Sequence, residues 1–435
     1  MTPDANGIVL VLDPSCSAAH GHHLNSLLDL AAALSPRPLT LVVNTAMPTS
    51  PFPPGITVQR CFETTVYDEP GLGPRPNGRL ARRLWKLRST MAGAAATTSW
   101  ALATAAAPLA SSAQLRAEDW DWSRWRRKWP TLQTVLEGVA VSPVAHIIAP
   151  SADVELICGL ASLRTQIAAL RCSQIHARLI TLTPTLARLH QGLAATKAYR
   201  GLMAERMDGV HLYVETPAMQ RQIATDYQLE SAVYPYLLAP PAFVETGRPA
   251  GVAFGYFGGM RNEKGFHRLL PILRRVAARL APSDPPLSVL IHGSDAHGEA
   301  ATALMAAFDA VAKPGLTVQF IAGPLSAEDY QRRFSKIDAA LLPYTGMRYA
   351  LSGSGIVCEA VSQGKAIITS KGLSFGGMCD ETHAIFADDD DAFATAILTI
   401  ARNIAPYRTA AAARARRYQS EVKACPLLAR LGATQ

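Results

Sequence analysis

The sequence predicts an α/β protein built from two halves, each a parallel sheet wound with helices. Three observations carry that reading. Short apolar runs alternate with helical patterns from end to end, as βαβ units require. The chain's 435 residues are enough for two separate cores. A proline-rich passage, VYPYLLAPPAFVETGRPAG at 233–251, breaks the periodicity midway and reads as an interdomain linker. Hydrophobic content of 49% with charged content of 17% excludes a disordered chain.

The opening segment MTPDANGIVLVLDPS has no basic leader, so 7–13 reads as a first strand and not as a signal peptide. A loop and an amphipathic helix over 22–34 follow. Further strands are predicted at 39–44, 56–61, 145–150, 178–183 and 209–215, interrupted by a helical insertion at 75–130. Beyond the linker, strands fall at 252–258, 287–293, 316–323, 338–344 and 365–370, and a last Ala/Arg-rich helix covers 406–423. The expected domains are 1–235, a linker at 236–250, and 251–400. The segment 401–435 is expected to pack back on the first domain.

Net charge is +8, and all of it is local. Residues 75–130 hold eleven basic and three acidic side chains together with all six tryptophans, while the remainder balances. Interleaved Arg/Lys and Trp suit a helical subdomain with a tryptophan core, an anionic membrane surface, or nucleic acid. The uncharged run 89–115 is too rich in Ala, Thr and Ser, and too interrupted by Pro108, to read as a membrane span. The seven cysteines are scattered without a Cys-x-x-Cys pair, as in a reduced cytosolic protein.

Chemistry-bearing residues gather at the C-terminal ends of the second-half strands, where such sheets bind ligands. GYFGGMRNEKGFHRLL (255–270) sets Gly258 and Gly259, then Arg261 and Lys264, before a helix. Two cations and free helix N–H groups suit a diphosphate. In LLPYTGMRYALSGSGIVCEAVSQGKAIITS (341–370), Ser352, Gly353, Ser354 and Gly355 bring bare backbone to a second helix start. Glu359 follows one turn later, where a carboxylate can accept both hydroxyls of a ribose. In the first half, DPSCSAAHGHHLNS (13–26) places His20, Gly21, His22 and His23 in the first βα loop. Imidazoles there suit contact with an acceptor or with phosphates, and no carboxylate or thiol set completes a metal site. Asp153 and Glu155, after the strand at 145–150, are further acceptor candidates.

The ordered series YFGGMRNEKGFHRLL, LSVLIHGSD, LTVQFIAGPLSAEDYQRRFSKIDAALLPY and SGSGIVCEAVSQGKAIITS resembles the nucleotide-sugar domain of GT-B retaining glycosyltransferases, especially glycosyltransferase family 4. It covers about residues 250–400 well. The resemblance implies a GT-B fold, two Rossmann-like domains facing a central cleft. It implies that Arg261 and Lys264 neutralise the donor diphosphate, that amides around Ser354, Gly355 and Ile356 touch phosphate or sugar, and that Glu359 holds the ribose. It implies that Gly293 and Ser294, in HGSD, lie near the base, and that Gly21 approaches the donor closely. His22 is the catalytic candidate of the histidine loop, with His20 and His23 toward the acceptor. No metal is implied, so the acidic residues 388–391 read as a solvated turn. Two positions depart from the family: Leu351 stands where a second Glu is common, and Gly259 where an Arg is common.

The expected activity is transfer of a sugar from a nucleotide-diphosphate sugar to an acceptor hydroxyl with retention, in polysaccharide or glycoconjugate synthesis. The expected partners are the donor, a glycan or lipid-linked acceptor, and an anionic membrane face through 75–130. The expected location is cytoplasmic, with a peripheral seat on the inner face of the membrane. A nucleotide-sugar epimerase of the same architecture and a GT-B binding module without turnover remain the alternatives.

Overall fold

A computed structural model describes residues 7–17, 22–48, 52–53, 55–66, 124–180, 207–227, 229–234, 251–345 and 347–432. The chain divides into two compact units: Met1–Glu215 with Gln220–Tyr234 and Pro426–Ala433, and Thr216–Met219 with Pro235–Cys425 and Thr434–Gln435. The predicted linker at 236–250 and the insertion up to residue 123 lie outside the described residues.

In the first unit the elements run β1 (Ile8–Asp13), α1 (His22–Leu34), β2 (Leu39–Asn44), β3 (Thr57–Phe62), α2 (Arg124–Lys128), α3 (Leu132–Val139), β4 (Val144–Ala152), α4 (Val154–Gln166), β5 (Gln174–Leu179), β6 (Val210–Val214), α5 (Pro217–Tyr227) and β7 (Ala232–Val233). The strands form one parallel sheet in the order β3-β2-β1-β4-β5-β6-β7. β1 and β4 are buried along nearly their whole length, which is why Val9–Leu12 and Ile147–Ala149 are unbroken apolar runs.

The fifth strand corrects the expected 178–183: it begins at Gln174 and reaches only Leu179. Its polar letters hid it, because His176 is buried by hydrogen bonding. His146 Nδ1 and His176 Nε2 lie 3.1 Å apart, and Tyr213 Oη is 3.2 Å from His176 Nδ1. At its described end the basic insertion is interior, with Trp125 and Trp129 in the core and Lys128 buried. Gly159 of α4 admits this packing, since a Cβ there would lie 3.2 Å from the Trp125 ring. These two tryptophans are core residues, unavailable to a lipid surface.

The second unit runs β8 (Val252–Gly258), α6 (Phe266–Arg279), β9 (Leu287–Gly293), α7 (Gly298–Asp309), β10 (Leu316–Ala322), α8 (Ala327–Ser335), β11 (Ala339–Leu342), α9 (Gly355–Ser362), β12 (Ala366–Ser370), β13 (Ala384–Ala387), α10 (Asp390–Arg402) and α11 (Ile404–Lys423). Its parallel sheet has the order β10-β9-β8-β11-β12-β13, the Rossmann order again. One face of the sheet packs Phe254, Tyr256 and Ile291 against the apolar stripe of α6, in which Phe266, Leu269, Ile272, Leu273 and Val276 are buried. Each of these contributes about 1.5–3 kcal/mol by leaving water. The other face packs Phe257 and Leu342 against Phe334, Val357 and Tyr418. The edge strand β10 is buried only at alternate residues, hence its polar Thr317 and Gln319.

The C-terminal segment divides rather than returning whole to the first unit. α11 belongs to the second, burying Ala411, Arg414 and Tyr418 along one face. Only α12 (Pro426–Arg430) with its flanks joins the first. Among the described residues, no helix is long and apolar enough to cross a membrane.

Burial, reinforced by Arg37 and His211, lowers the His146 pKa to about 4. Burial, His146, His211 and Arg430 lower that of His176 to about 2. The unfolded chain therefore binds more protons below pH 6.5, and folding stability falls as pH drops from about 6.5 toward 4. The slope is up to about 1.4 kcal/mol per pH unit for each histidine. Urea unfolding at pH 7.5, 6 and 5 should show this loss, and His176→Asn should make it shallower.

Candidate functional site

In the second unit β8 lies between β9 and β11, so the chain leaves β8 and β11 toward opposite sides of the sheet. Such a switch point opens a crevice beyond the strand C-termini, and both candidate loops begin there. The β8 loop leaves at Gly258, whose φ of 140° favours glycine. A methyl group at Gly258 would sit 2.9 Å from Lys264 Nζ, so the ammonium lies folded over the strand end. Arg261 precedes a 3₁₀ turn, Asn262–Lys264, is 44% exposed, and has Nε 3.2 Å from Glu263 Oε1. Gly265 then takes φ 68°, and a Cβ on it would meet the Pro343 carbonyl oxygen at 1.7 Å.

That contact belongs to a clip between the two loops. The Thr345 N–H donates to the Glu263 carbonyl at 2.9 Å, and the Thr345 hydroxyl to the Asn262 carbonyl at 2.7 Å. Arg268 Nη1 donates to the Pro343 carbonyl at 3.3 Å. The cationic loop and the start of the β11 loop therefore form one piece.

Beyond β11 the chain reaches α9. Ser354 occupies the N-cap position in extended backbone, but its hydroxyl does not cap the helix. It pairs instead with Tyr344 Oη at 3.1 Å, and the Tyr344 ring lies against Tyr349 with centroids 4.5 Å apart. The first-turn amides of α9, at Gly355 and Ile356, thus have no side-chain cap and carry the positive end of the helix dipole. The approach to the helix is anchored: Ser374 Oγ donates to the Ser352 carbonyl at 2.8 Å, and Thr216 Oγ1 to that of Leu351 at 2.5 Å. Ser352 and Ser354 are buried, and the half-buried Gly353 lies between them. Leu351 is half-buried and brings no acid to this corner. Glu359 is buried on α9, with Oε2 accepting a hydrogen bond from the Tyr330 phenol of α8.

The HGSD turn after β9 is joined to the β8 loop. Ser294 N donates to the Gly258 carbonyl at 3.2 Å, and Met260 N to Asp295 Oδ1 at 2.7 Å. A Cβ on Gly293 would press on Phe320 at 3.0 Å and Met260 at 3.2 Å, and one on Gly259 would touch Asp295 at 3.4 Å. His292 Nε2 donates to the Gly323 carbonyl at 2.8 Å, and burial lowers its pKa. The acidic residues after β13 are spoken for. Asp389 caps α10, Asp390 pairs with Arg268 at 2.7 Å, Asp391 with Arg279 at 2.5 Å, and Asp388 with Lys371 at 2.7 Å. No group of three potential metal-ligating side chains converges among the described residues.

In the first unit the switch point lies at β1 and β4. Asp13 ends β1, Ser151 lies near the end of β4, and His23 stands in the first turn of α1. His23 Nδ1 is 3.3 Å from Asp13 Oδ2 and 3.1 Å from Ser151 Oγ, and Ser151 donates to the same Oδ2 at 3.3 Å. A carboxylate only accepts, so this pairing puts the proton on Nδ1. His22 opens α1, its side chain lying outside the described residues, as do His20 and Gly21.

Asp153 corrects the sequence expectation. It is 0% exposed, caps α4 through Leu156 N at 2.7 Å, accepts from Trp129 Nε1 at 3.3 Å, and lies 2.6 Å from Lys128 Nζ. A carboxylate committed to three donors in the interior holds the fold and does not meet an acceptor. Glu155, in the first turn of the same helix, is also buried, at 6% exposure.

Sequence reasoning missed Asp13, Ser151, Tyr330 and Tyr344. Asp13 had a signal, an acid ending an apolar strand. Tyr330 had none, because with Phe334 four residues on it reads as a core stripe.

No protein-family model matches the sequence, and no curated protein matches it by sequence. Solved structures do match over nearly the whole chain. A sucrose-phosphate synthase from Thermosynechococcus elongatus aligns with TM-score 0.58 at 13% identity, covering 95% of this chain and 94% of that one. An E. coli trehalose-6-phosphate structure bound with UDP-2-fluoro glucose gives 0.57 at 12%, covering 96% and 95%. HepE of Anabaena in complex with UDP-glucose gives 0.54 at 13%, covering 95% of each. The chain has the GT-B fold, an α/β architecture of two Rossmann-like domains.

Gly265→Ala should cost about 2 kcal/mol or more, through left-handed backbone strain and the clash with Pro343. Chemical denaturation of the variant beside the native chain measures it.

Proposed function

We propose that the chain is a glycosyltransferase moving a sugar from a nucleoside-diphosphate sugar to an acceptor hydroxyl, with retention, in polysaccharide or glycoconjugate synthesis. The observation that carries the reading is the clip at the switch point, which holds a loop with two cations beside an uncapped helix start. That arrangement fits a diphosphate better than any neutral ligand. Structures of the same fold bound to UDP-glucose and UDP-2-fluoro glucose support the donor class.

In this reading Lys264 and Arg261 lie along the diphosphate, and the amides of Gly355 and Ile356 meet its oxygens. Charge grows on the departing phosphate as the glycosidic bond breaks, and these fixed donors stabilise it without reorganising. The acceptor oxygen bonds to the anomeric carbon as the sugar–phosphate bond breaks, and the leaving phosphate oxygen takes the acceptor proton. In this reading Arg261 and Lys264 supply the charge stabilisation that a metal would otherwise give. Glu359 accepts from the ribose hydroxyls. His23, oriented by Asp13 and Ser151, offers the acceptor contact of the first unit. Leu351 favours a second reading, a module that binds donor without turnover, because the corner beside the transferred sugar lacks an acid there.

Titration with UDP-, GDP-, ADP- and dTDP-sugars should find one donor class. Lys264→Ala and Glu359→Gln should each weaken its binding and turnover at least about tenfold, the loss expected for a charge-assisted contact. Unchanged turnover in both variants would sink the site assignment, and donor binding without transfer across a broad acceptor panel would establish the second reading. Proton NMR of the product anomer tests retention.

A further inference from the structure

Glu359 is 7% exposed, and a buried carboxylate is stable only where donors meet it. One donor is the phenol of Tyr330, which reaches Oε2 from a different helix. That phenol is itself immobilised. The Tyr330 ring meets Phe257 of β8 edge-on at 5.3 Å and stacks on Phe334 at 5.7 Å. His292 of β9 stands at 6.4 Å, its imidazole pinned to the Gly323 carbonyl. Upstream, Ser326 caps α8 by accepting from Asp329 N at 3.0 Å, which sets the helix one turn before Tyr330. Burial and the neighbouring carboxylate raise the phenol's pKa well above its ordinary value, so the oxygen keeps its proton and remains a donor.

A carboxylate has one soft torsion, and locking one oxygen fixes where the other lies. We propose that Tyr330 is a positioning residue: by holding Oε2 of Glu359 it aims the carboxylate at the ribose, and so sets a preference for ribonucleoside over 2′-deoxyribonucleoside diphosphates. The inference rests on the donor reading above and adds to it a residue and a substrate distinction. A site built to bond a hydroxyl discriminates against the analogue lacking it, because its own polar group is then left unpaired. That discrimination requires the acceptor to stay in place when the hydroxyl is absent. A carboxylate free to rotate would recover another partner, and the preference would fade.

The test is calorimetric titration of the full chain with UDP, GDP and ADP, each beside its 2′-deoxy counterpart. Native protein, Tyr330→Phe, Glu359→Gln and the double variant are compared, with thermal melting as the folding control. The native chain should prefer the ribo form by about tenfold or more. Tyr330→Phe should lose most of that ratio while binding the 2′-deoxy form within about twofold of native, and adding it to Glu359→Gln should change nothing more. If Tyr330→Phe melts too low to titrate, Phe334→Leu keeps the phenol but loosens its wall, and should lower the ratio in the same direction. A native ratio retained in the folded variants overturns the proposal, as does equal binding of ribo and 2′-deoxy forms by the native chain. Failure of the native chain to bind any of the three nucleotides would overturn the donor reading itself, and this inference with it.

Discussion

The second unit depends on the seating of Gly265 against the Pro343 carbonyl. Two loops leave a parallel sheet in opposite directions, and little in such a sheet couples them. Here a glycine in left-handed backbone lets one loop lie directly on the other, and the side chain and amide of Thr345 complete the join. The cations of the first loop are thereby held relative to the strand that leads to α9. Asp295 and Ser294 tie the third loop to the same piece. A crevice built on backbone carbonyls and amides results, joined by the Thr345 hydroxyl, the Asp295 carboxylate and the Arg268 guanidinium.

Buried acids show a second constraint. Asp338 is 7% exposed and accepts from Ala253 N at 2.9 Å and Arg408 Nε at 2.9 Å, tying α11 to the centre of the sheet. Asp153 takes a lysine, an indole and a helix amide. Removing a carboxylate from water is costly, so each such group marks a place where donors were assembled around it. What separates a structural acid from a functional one is where those donors leave it. Asp153 is sealed among three partners within one domain's core. Asp13 ends β1 and Glu359 lies one turn into α9, both at the switch points of their sheets, and these are the acids that the proposed function draws on.

The histidines divide in the same way. His146 and His176 are held neutral within the sheet and act on stability through pH, whereas His23 stands in the first turn of α1, beyond the ends of β1 and β4, against an acid and a hydroxyl. All three are the same letter in the sequence. Their places in the fold separate them, His146 and His176 on strands and His23 in the first turn of α1. A buried His176 looks like a polar interruption of β5 until its partners on neighbouring strands are known.

Much of this protein was legible in the chain by itself. Apolar periodicity located most strands of both sheets, because a strand covered on two faces must be apolar along its length. Gly258, Arg261, Lys264 and Gly355 stood out because small residues, cations and a helix start in that local order suit a phosphate, and Glu359 because a carboxylate one turn on suits ribose hydroxyls. Only the tertiary structure decided the rest: that Asp153 is sealed by Lys128 and Trp129, that Trp125 is core, that Ser354 pairs with Tyr344 instead of capping its helix, and that Tyr330 holds Glu359. The reason is physical. Backbone pattern and loop chemistry are set by neighbours in sequence, whereas the partner of a buried polar group comes from a distant element, and no local spacing encodes which one will arrive.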